Sequence, residues 1–455
     1  MCNIRIHSDD NVVIDKNSGH KIASCDISIG GDIVKYGFVI GTATSNIFRG
    51  ETVHTNNIKS KLDTTSDEYI YREKNYIIPD GVSNYAFEGY IRENGDVGIR
   101  NEVWIIPTVG CVNHTAEIIA NKTDVIAFTH QFGCSQLSDD HENTKKILRG
   151  IANNPNCASA LILGLGCENN GIEDFREFFG EFPEGKFAFL KVQDVEDEII
   201  AGISLIEDLK SYRDKFKRER LPLSKLKIGV KCGGSDAFSG ITANSLIGKV
   251  SDFIVSEGGS VVLTETPEMF GAEQILLDRC TNREVFDKLC NIIKNFKQYY
   301  IDYNEPIYEN PSPGNKEGGI STLEEKSLGC VQKGGKAPVM DVIAYGEQLR
   351  KSGLTVLDGP GNDIVAVSNL AAAGCQIILF STGRGTPLGS PVPVIKISSN
   401  TKLYDKKKSW IDFDATNGET NELVEFVLEI INGSKTKSEE NDYRDFSIFK
   451  NGVTL

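Results

Sequence analysis

Short apolar runs separated by glycine and polar residues dominate the first sixty positions of the chain. Such runs occur at 11–14, 21–23, 32–40 and 51–54. Segments of this length, rich in β-branched residues and bounded by turn residues, are typical of strands rather than helices. We therefore predict a small all-β module over residues 1–62.

A polar stretch without periodicity follows the module. Residues 63–84 are rich in Asp, Thr, Ser, Glu and Lys and show no regular apolar spacing. This composition suits a segment that connects two domains rather than one that builds a core. We predict an interdomain linker here.

Beyond the linker, apolar runs alternate with helical patterns. Three strands and two intervening helices are predicted, with the strands at 103–107, 124–128 and 158–163 and the helices at 114–122 and 139–151. Alternation of this kind is typical of a parallel sheet covered by helices. A charged helical stretch at about 195–220 closes the unit, so we predict a middle α/β domain over 85–222.

The same alternation continues to the end of the chain. Strands are predicted at 227–231, 260–264, 355–357 and 376–380. The predicted fold class is therefore α/β, with a small N-terminal all-β module followed by two Rossmann-like α/β parts, the second over 223–455. A Rossmann glycine fingerprint after the first strand and a P-loop motif are both missing, so we predict no nucleotide cofactor.

Composition narrows the range of partners. The 455 residues carry a net charge of −15, which argues against nucleic acid, whose phosphates require clustered Lys and Arg. No apolar run of about 18 residues suggests a membrane segment, and the first residues do not resemble a secretory signal. We predict a cytoplasmic protein with no membrane partner, in which the eleven cysteines are reduced thiols.

Three of these cysteines follow glycine in loops after predicted strands. They are Cys111, Cys134 and Cys167, the last followed by Glu168. Loops after parallel strands converge on one crevice, so these residues are candidates for substrate binding. The alternatives are a buried thiol that only fills space, or a metal or iron–sulfur cluster assembled from separate loops, since the chain lacks the C-x-x-C spacing of local metal sites.

Two arginine motifs are candidates for carboxylate binding. Arg100 and Asn101 follow a glycine before the first strand of the middle domain, and Thr382 and Arg384 lie in a glycine-rich loop after a late strand. A guanidinium grips a carboxylate with two parallel hydrogen bonds, and a glycine-rich loop adds backbone N–H donors. A surface arginine beside a capping residue is the alternative reading.

The candidates for metal binding and acid–base chemistry are few because the chain has six histidines. His20 and His54 lie in the N-terminal module, and neutral imidazole suits divalent iron, manganese or zinc. His130 precedes the Cys134 loop and is a candidate base or ligand. The run from Glu324 to Ser327 puts two carboxylates beside Lys326, which suits acid–base work, cation binding or a solvated helix start.

Taken together, these segments resemble the altronate/galactarate dehydratase family, and they do so in order along nearly the whole chain. The matching stretches are Gly89-Tyr90-Ile91-Arg92, Gly98-Ile99-Arg100-Asn101, Pro107-Thr108-Val109-Gly110-Cys111, His130 with Gly133-Cys134, Gly164-Leu165-Gly166-Cys167-Glu168, Lys231-Cys232-Gly233-Gly234-Ser235-Asp236, Glu265-Thr266-Pro267-Glu268, Glu324-Glu325-Lys326-Ser327-Leu328-Gly329, Asp358-Gly359-Pro360-Gly361-Asn362-Asp363 and Thr382-Gly383-Arg384-Gly385.

The resemblance implies a fold and an activity. The implied N-terminal domain is a β-clip of the SAF type, and the implied reaction is metal-assisted elimination of water from an aldonic or aldaric acid to give a 2-keto-3-deoxy acid. It implies a divalent metal, commonly Fe²⁺ or Mn²⁺, for which His20 and His54 are the candidate ligands here. The candidate groups for proton transfer are His20, Lys21, His130 and Lys326. The sugar-acid substrate is the expected small-molecule partner, and a homo-oligomer is left open.

The chain departs from the family pattern in its N-terminal module. The segment between residues 11–13 and His20 is shorter than expected, and Asn56 stands where relatives tend to carry a second histidine after His54. Two rival functions therefore stay open. One is a lyase on the same scaffold that releases sulfite from a sulfolactate-like substrate, and the other is a catalytically impaired sugar-acid-binding protein.

Overall fold

The computed structural model describes residues 3–62, 68–74, 76 and 85–455. Seven short strands form the N-terminal module: β1 (Asn3–Ile4), β2 (Val12–Asp15), β3 (Lys21–Ala23), β4 (Asp32–Lys35), β5 (Phe38–Ala43), β6 (Thr52–Val53) and β7 (Ile58–Lys59). They build two antiparallel sheets, in the orders β1-β2-β3-β6 and β4-β5-β7. The prediction of an all-β module is confirmed.

One predicted strand of the module is in fact a hairpin. The run at 32–40 turns at Tyr36 and Gly37, whose φ angles are 61° and 77°. Two successive positive φ values define the tight turn that matches the twist of antiparallel strands. The apolar pattern alone predicted one continuous strand because a tyrosine at such a position is uncommon.

The middle part of the chain holds a four-stranded parallel sheet in the order β11-β10-β12-β13 and a three-stranded antiparallel sheet in the order β14-β8-β9. Its elements are β8 (Ala86–Ile91), β9 (Val97–Gly98), β10 (Glu102–Pro107), α1 (Asn113–Thr123), β11 (Ile126–Ala127), α2 (Ser138–Ala152), β12 (Cys157–Gly164), α3 (Ile172–Phe179), β13 (Phe187–Lys191), α4 (Glu198–Arg213) and β14 (Arg218–Pro222). The helix predicted at 195–220 was too long, because residues 218–222 pair with β8 as a strand.

The rest of the chain is organised around a seven-stranded parallel sheet in the order β17-β18-β16-β15-β19-β20-β21. Its elements are β15 (Lys227–Cys232), α5 (Ala243–Ser256), β16 (Ser260–Leu263), α6 (Glu273–Leu277), α7 (Arg283–Asp302), α8 (Pro313–Glu317), α9 (Leu323–Cys330), β17 (Val339–Ile343), β18 (Gly353–Leu357), α10 (Asp363–Ala372), β19 (Ile377–Thr382), β20 (Val394–Ser398), α11 (Thr401–Lys406), β21 (Phe413–Asp414), α12 (Thr420–Ile431) and α13 (Lys437–Glu440).

The strand order of the large sheet marks a crevice. The chain leaves β15 toward β16 on one side and later returns to β19 on the other, so the order reverses between β15 and β19. Ligands of open parallel sheets bind outside the carboxyl ends of the strands at such a reversal. Strand β15 ends at Cys232 and strand β19 ends at Thr382. Cys232 pairs with Ser381, the residue before Thr382, so the two ends lie side by side.

The α/β class with a strand-rich N-terminal module is confirmed, whereas a Rossmann-like topology stays a prediction. The predicted linker lies only partly within the described residues. Where it is described, Tyr69 and Tyr71 pack against the core below the large sheet, and Arg72 forms an ion pair with Asp278. Among the described helices, none combines the length and the apolar character needed to cross a bilayer.

Candidate functional site

The N-terminal module docks on α9, and the start of that helix explains how. Thr322 precedes the helix, and its hydroxyl accepts a hydrogen bond from the Glu325 amide while donating one to the Ile40 carbonyl at 2.6 Å. Every residue of α9 is buried. Carboxylates in a first helical turn complement the positive end of the helix dipole. The cap thus fixes both the helix start and the contact with β5.

Glu325 binds two lysines of the module. Its Oε2 accepts from Lys21 at 2.7 Å and its Oε1 from Lys35 at 2.8 Å, and all three side chains are at most 1% exposed. Lys21 also donates to the Gly319 carbonyl and the Ser321 hydroxyl. Two ammonium groups against one carboxylate leave one surplus positive charge in a buried setting. Such a charge attracts an anion because little water is present to screen it.

The protonation equilibria of these groups follow from the same arrangement. Burial alone would raise the pKa of Glu325, but the two ammonium groups outweigh burial and lower this pKa to about 2. Burial is the largest influence on Lys21, and with the charge of Lys35 it lowers the pKa of Lys21 to about 8 against the attraction of Glu325. Lys21 therefore exchanges its proton nearer to neutral pH than an ordinary lysine does.

The positive-φ turn delivers Tyr36 to the same place. A Cβ built on Gly240 would collide with the Tyr36 hydroxyl, and one built on Gly329 would lie 3.6 Å from it. The ring thus fits between the loop after β15 and helix α9. A non-glycine residue in the left-handed region is strained unless its surroundings hold it, and such residues cluster at functional sites. Burial raises the pKa of Tyr36.

A narrow cavity lies between the module and the large sheet. Its lining includes Lys35, Tyr36, Asp236, Glu325 and Lys326. The lining combines cationic, phenolic and carboxylate groups. Lys326 is held as an ammonium because Glu268, 2.8 Å away, offsets the effect of burial and raises the pKa of the lysine.

The two histidines of the module lie beside each other at this interface. The ring centroids of His20 and His54 are 5.2 Å apart. His54 donates from Nε2 to the Lys316 carbonyl at 2.8 Å, so its Nδ1 is the lone-pair nitrogen, and burial lowers the pKa of the ring. The Nδ1 of His20 is buried and has no hydrogen-bond partner among the described residues. The Nδ1 of His54 accepts a hydrogen bond from the Thr55 hydroxyl at 3.0 Å, and imidazole nitrogens are ligands that suit a divalent metal.

A second possible metal site adjoins the cavity, whose lining includes Cys330. Cys232, Glu268 and Cys330 are buried, and their ligand atoms lie within 4.8 Å of one another. The two sulfurs are 3.2 Å apart, and the hydrogen bond from Cys330 is the main cause that lowers the pKa of Cys232 to about 5. Glu268 faces the thiols with Oε2 and binds Lys326 with Oε1. Two sulfurs and one carboxylate are ligands that a divalent transition metal accepts.

The glycine-rich loop with Arg384 lies next to the histidines. Arg384 pairs with Glu317 of α8 at 2.9 Å, and His54 contacts the preceding residue of the same helix. Thr382 accepts a hydrogen bond from the Gly385 amide, which closes the loop. Asp236 packs against Gly383 and accepts hydrogen bonds from the loop that follows β20.

Two of the predicted substrate-binding residues of the middle domain, Arg100 and Asn101, have partners outside this site. Arg100 binds Glu439 with two hydrogen bonds, and it also donates to the Ile430 and Ser434 carbonyls. Asn101 accepts from Arg92 and donates to the Arg213 carbonyl. Both lie at the amino end of β10, whereas the cysteine loops lie at its carboxyl end, about 20 Å away along a six-residue strand.

The remaining middle-domain candidates lie at that carboxyl end. His130 donates from Nε2 to the Pro107 carbonyl and accepts the Phe132 amide at Nδ1, and burial lowers its pKa to about 4. Glu168 accepts from the Thr108 hydroxyl and from two loop amides, so its carboxylate organises the loop. Cys111, Cys134 and Cys167 are exposed.

The structure thus brings six of the predicted residues to the crevice of the large sheet: His20, Lys21, His54, Lys326, Thr382 and Arg384. The crevice also contains residues for which the sequence predicted no role: Lys35, Tyr36, Cys232, Glu268 and Cys330. A signal for Lys35 existed, because strand parity puts it on the same face as Ile33, which is buried. A lysine at a core-facing strand position needs a buried partner.

Comparison with known proteins agrees with these observations. Three family models match in succession: the altronate/galactarate dehydratase SAF domain over 4–61, the second domain of D-galactarate dehydratase/altronate hydrolase over 89–213, and the C-terminal domain of D-galactarate/altronate dehydratase over 223–454. The SAF match agrees with the strand-rich module seen in the structure.

Individual relatives match along most of their length. The chain is 48% identical to altronate dehydratase of Bacillus subtilis over 99% of both chains, and 48% identical to altronate dehydratase of Escherichia coli over 96% of this chain and 92% of that one. It is 30% identical to the L-threo-forming galactarate dehydratase of Escherichia coli over 95% and 93%. The resemblance seen in the sequence is confirmed: the chain belongs to the D-galactarate/altronate dehydratase family of sugar-acid hydro-lyases.

Proposed function

We propose that the chain removes water from an altronate-like aldonic acid, or from a galactarate-like aldaric acid, to give a 2-keto-3-deoxy acid. The relatives named altronate dehydratase support the aldonic acid as the first choice, because they are 48% identical over nearly the whole chain. The observation that carries the proposal is the buried Lys21–Glu325–Lys35 group, whose surplus positive charge lies at the crevice of the large sheet.

This charge answers the main chemical difficulty of the reaction. Elimination begins with loss of the proton beside a carboxylate, and the resulting enediolate carries two negative charges. A preorganised positive charge in a site that excludes water stabilises such an intermediate far better than water does. The charge is in place when the enediolate forms, because the ammonium groups of Lys21 and Lys35 then both face the single carboxylate of Glu325.

Two lysines at the interface between the module and α9 suit opposite roles in proton transfer. We assign proton abstraction to Lys21, since a lowered pKa of about 8 leaves a fraction of the amine neutral near pH 7.5. Lys326 is kept protonated by Glu268 and lines the cavity, so we assign to it the proton that accompanies the departing 3-hydroxyl. We assign no step to His130, because both of its ring nitrogens are hydrogen-bonded within the middle domain.

We propose His20 and His54 as ligands of a divalent ion, Fe²⁺ or Mn²⁺. The unpartnered Nδ1 of His20 and the lone pair on Nδ1 of His54 fit such an ion. When bound, the ion would supply a Lewis acid for the carboxylate and the 2-hydroxyl of the substrate. The Cys232–Glu268–Cys330 group is the competing location, and its softer ligands would favour zinc or ferrous iron.

Arg384 is the proposed carboxylate clamp. Its present partner Glu317 is 70% exposed, and an exposed ion pair of this kind contributes only about 0–1 kcal/mol. A substrate carboxylate can therefore replace it at little cost, with help from the loop hydroxyl of Thr382. A substrate-binding role for Arg100, Asn101, Cys111, Cys134, Cys167 or Glu168 stays a prediction, to be tested by the same assay.

The proposal is tested by a substrate panel on anaerobically purified protein supplied with Fe²⁺ or Mn²⁺. We expect keto-acid formation from altronate, with or without activity on galactarate. Sulfite release from sulfolactate in the absence of keto-acid formation would assign the rival lyase activity. Tight binding of altronate without turnover, with metal present, would assign the impaired homologue.

Two variants separate the roles of the histidines. We expect His20→Ala to abolish turnover and to lose bound metal while the protein stays folded, whereas His114→Ala, at a side chain that is 95% exposed, should change neither. Normal turnover in the His20 variant with metal still bound contradicts the assignment. If Cys330→Ser loses the metal and His20→Ala keeps it, the ion is assigned to the Cys232–Glu268–Cys330 group instead.

A further inference from the structure

The mechanism proposed above assigns no step to the three exposed Gly-Cys loops of the middle domain. β11, β10 and β12 are adjacent and parallel, so the loops that follow them leave the same edge of the sheet. Cys111, Cys134 and Cys167 lie in these three loops, and all three thiols are exposed. Thiols from three separate chain segments therefore face solvent at one edge.

Direct hydrogen bonds join the three loops. The Gly110 amide donates to the Phe132 carbonyl at 2.9 Å, and the Asn170 amide donates to the Gly133 carbonyl at 3.0 Å. Gly110 immediately precedes Cys111, and Gly133 immediately precedes Cys134. A Cβ on Gly133 would overlap the Thr108 carbonyl, so the loops approach as closely as glycine permits. The cysteines are consequently carried on a rigid support rather than on independent flexible loops.

Three helices begin directly after these loops. They are α1, α2 and α3, and in the described part of the chain no side chain caps any of their N-termini. By contrast, α4, α7, α9 and α10 all have side-chain caps. Uncapped N-termini present free N–H donors and a partial positive charge, which favour anions and thiolates. Each of the three cysteine loops thus leads into an uncapped helix end.

The spacing of the thiols argues against a single ion. Two sulfurs bound to one zinc ion at about 2.3 Å each are at most about 4.6 Å apart. Cys232, Glu268 and Cys330 have ligand atoms within 4.8 Å of one another. Among the described residues, no other set of three His, Cys, Asp or Glu side chains meets this distance. At least one pair of the three loop sulfurs is therefore more than 4.8 Å apart, which is too far for both to bind one zinc ion.

We propose that Cys111, Cys134 and Cys167 ligate a four-iron, four-sulfide cluster at the carboxyl edge of the middle sheet. Each thiol loses one proton on binding iron, and the uncapped helix ends stabilise the anionic product. Three protein sulfurs leave one iron of the cluster free to take an oxygen donor such as water, a hydroxyl or a carboxylate. None of the three cysteines lines the cavity that contains Glu325 and Lys326, and the test below measures iron and sulfide rather than turnover, so failure of this proposal is distinguishable from failure of the proposed dehydratase site.

The test is anaerobic reconstitution of the purified full chain with iron salts and sulfide under reducing conditions. We expect the broad visible absorption of an iron–sulfur cluster and about four iron and four acid-labile sulfide ions per chain. Cys134→Ser should lower both to background. The matched control Cys25→Ser removes an exposed thiol of the N-terminal module and should leave both unchanged.

A second readout needs no variant. In the reconstituted protein, alkylation followed by peptide mass spectrometry should show Cys111, Cys134 and Cys167 protected and Cys25 modified. The proposal is overturned if the wild-type chain gains no sulfide-dependent absorption. It is also overturned if iron binds without labile sulfide, or if a Cys111→Ser, Cys134→Ser, Cys167→Ser triple variant that keeps the wild-type circular dichroism forms the same chromophore.

Discussion

Replacing Glu325 with glutamine should loosen the docking of the N-terminal module more than any other single isosteric change at the interface. Glu325 is the only charged partner that Lys21 and Lys35 have in common among the described residues, and both lysines are buried. A glutamine amide can accept from one ammonium group through its oxygen. Its NH₂ group would then point donors at the other ammonium group, which leaves a buried charge without a partner.

The magnitude follows from two independent considerations. Breaking a buried ion pair by removing one partner costs about 3–5 kcal/mol. The pKa of Glu325 is lowered from 4.5 to about 2, and at about 1.4 kcal/mol for each pKa unit this corresponds to about 3 kcal/mol. Because this pKa is depressed on folding, the stabilisation is present above about pH 4.5 and is lost as the pH falls toward 2.

The appropriate assay is hydrogen exchange of peptides from residues 3–62, since a chain of this size does not unfold in one step. At pH 7 the variant should exchange the amides of β4 and β5 roughly one hundred to several thousand times faster, as about 3–5 kcal/mol requires. The matched control is Glu317→Gln, which breaks an exposed pair with Arg384 and should change exchange less than about fivefold.

The reasoning is refuted if Glu325→Gln and Glu317→Gln show the same exchange in the module at pH 7. It is also refuted if the protection factor of the wild-type module, which is corrected for the intrinsic pH dependence of amide exchange, stays constant between pH 5 and about pH 2.5. The double variant Lys35→Met, Glu325→Gln should recover part of the loss, because the remaining lysine can use the glutamine oxygen.

Three further outcomes follow from the structure. The pKa of His130 is about 4 in the folded protein and 6.5 in the unfolded chain. The free energy of unfolding of the middle domain should therefore fall by about 3 kcal/mol between pH 6.5 and pH 4. In acid unfolding curves, His130→Gln should remove this pH dependence. Gly240→Ala should displace Tyr36 and cost about 1–3 kcal/mol by overpacking, measured as module exchange, whereas Gly171→Ala, with open space around its Cβ, should have little effect. Treatment with a chelator should abolish turnover, and Fe²⁺ or Mn²⁺ but not Mg²⁺ should restore it, because imidazole nitrogens bind Mg²⁺ poorly.

Much of the fold could be predicted from local patterns. Short apolar runs marked β2 and β3, and longer apolar runs marked β10, β12, β15 and β19 within one or two residues. The longer runs are continuous because these strands are buried on both faces. The hairpin at Tyr36 and the strand at 218–222 were missed because each depends on contacts with other parts of the chain.

Only some residues of the candidate site could be predicted from the sequence. His20, Lys21 and Lys326 were singled out, but their partners were not. Lys21 and Glu325 are 304 residues apart, and Cys232 and Cys330 are 98 apart. The periodicity of apolar residues indicates whether a position faces the core. It does not indicate which two buried charged side chains form an ion pair.

The sequence by itself determined the α/β alternation, the strand-rich module and the family, because hydrophobic spacing and loop motifs are local properties of the chain. Only the tertiary structure decided that one carboxylate of α9 binds two lysines of the module, and that Arg100 lies at the opposite end of β10 from the cysteine loops. The physical reason is that electrostatic complementarity in a low-dielectric interior acts through space between atoms that the fold brings together.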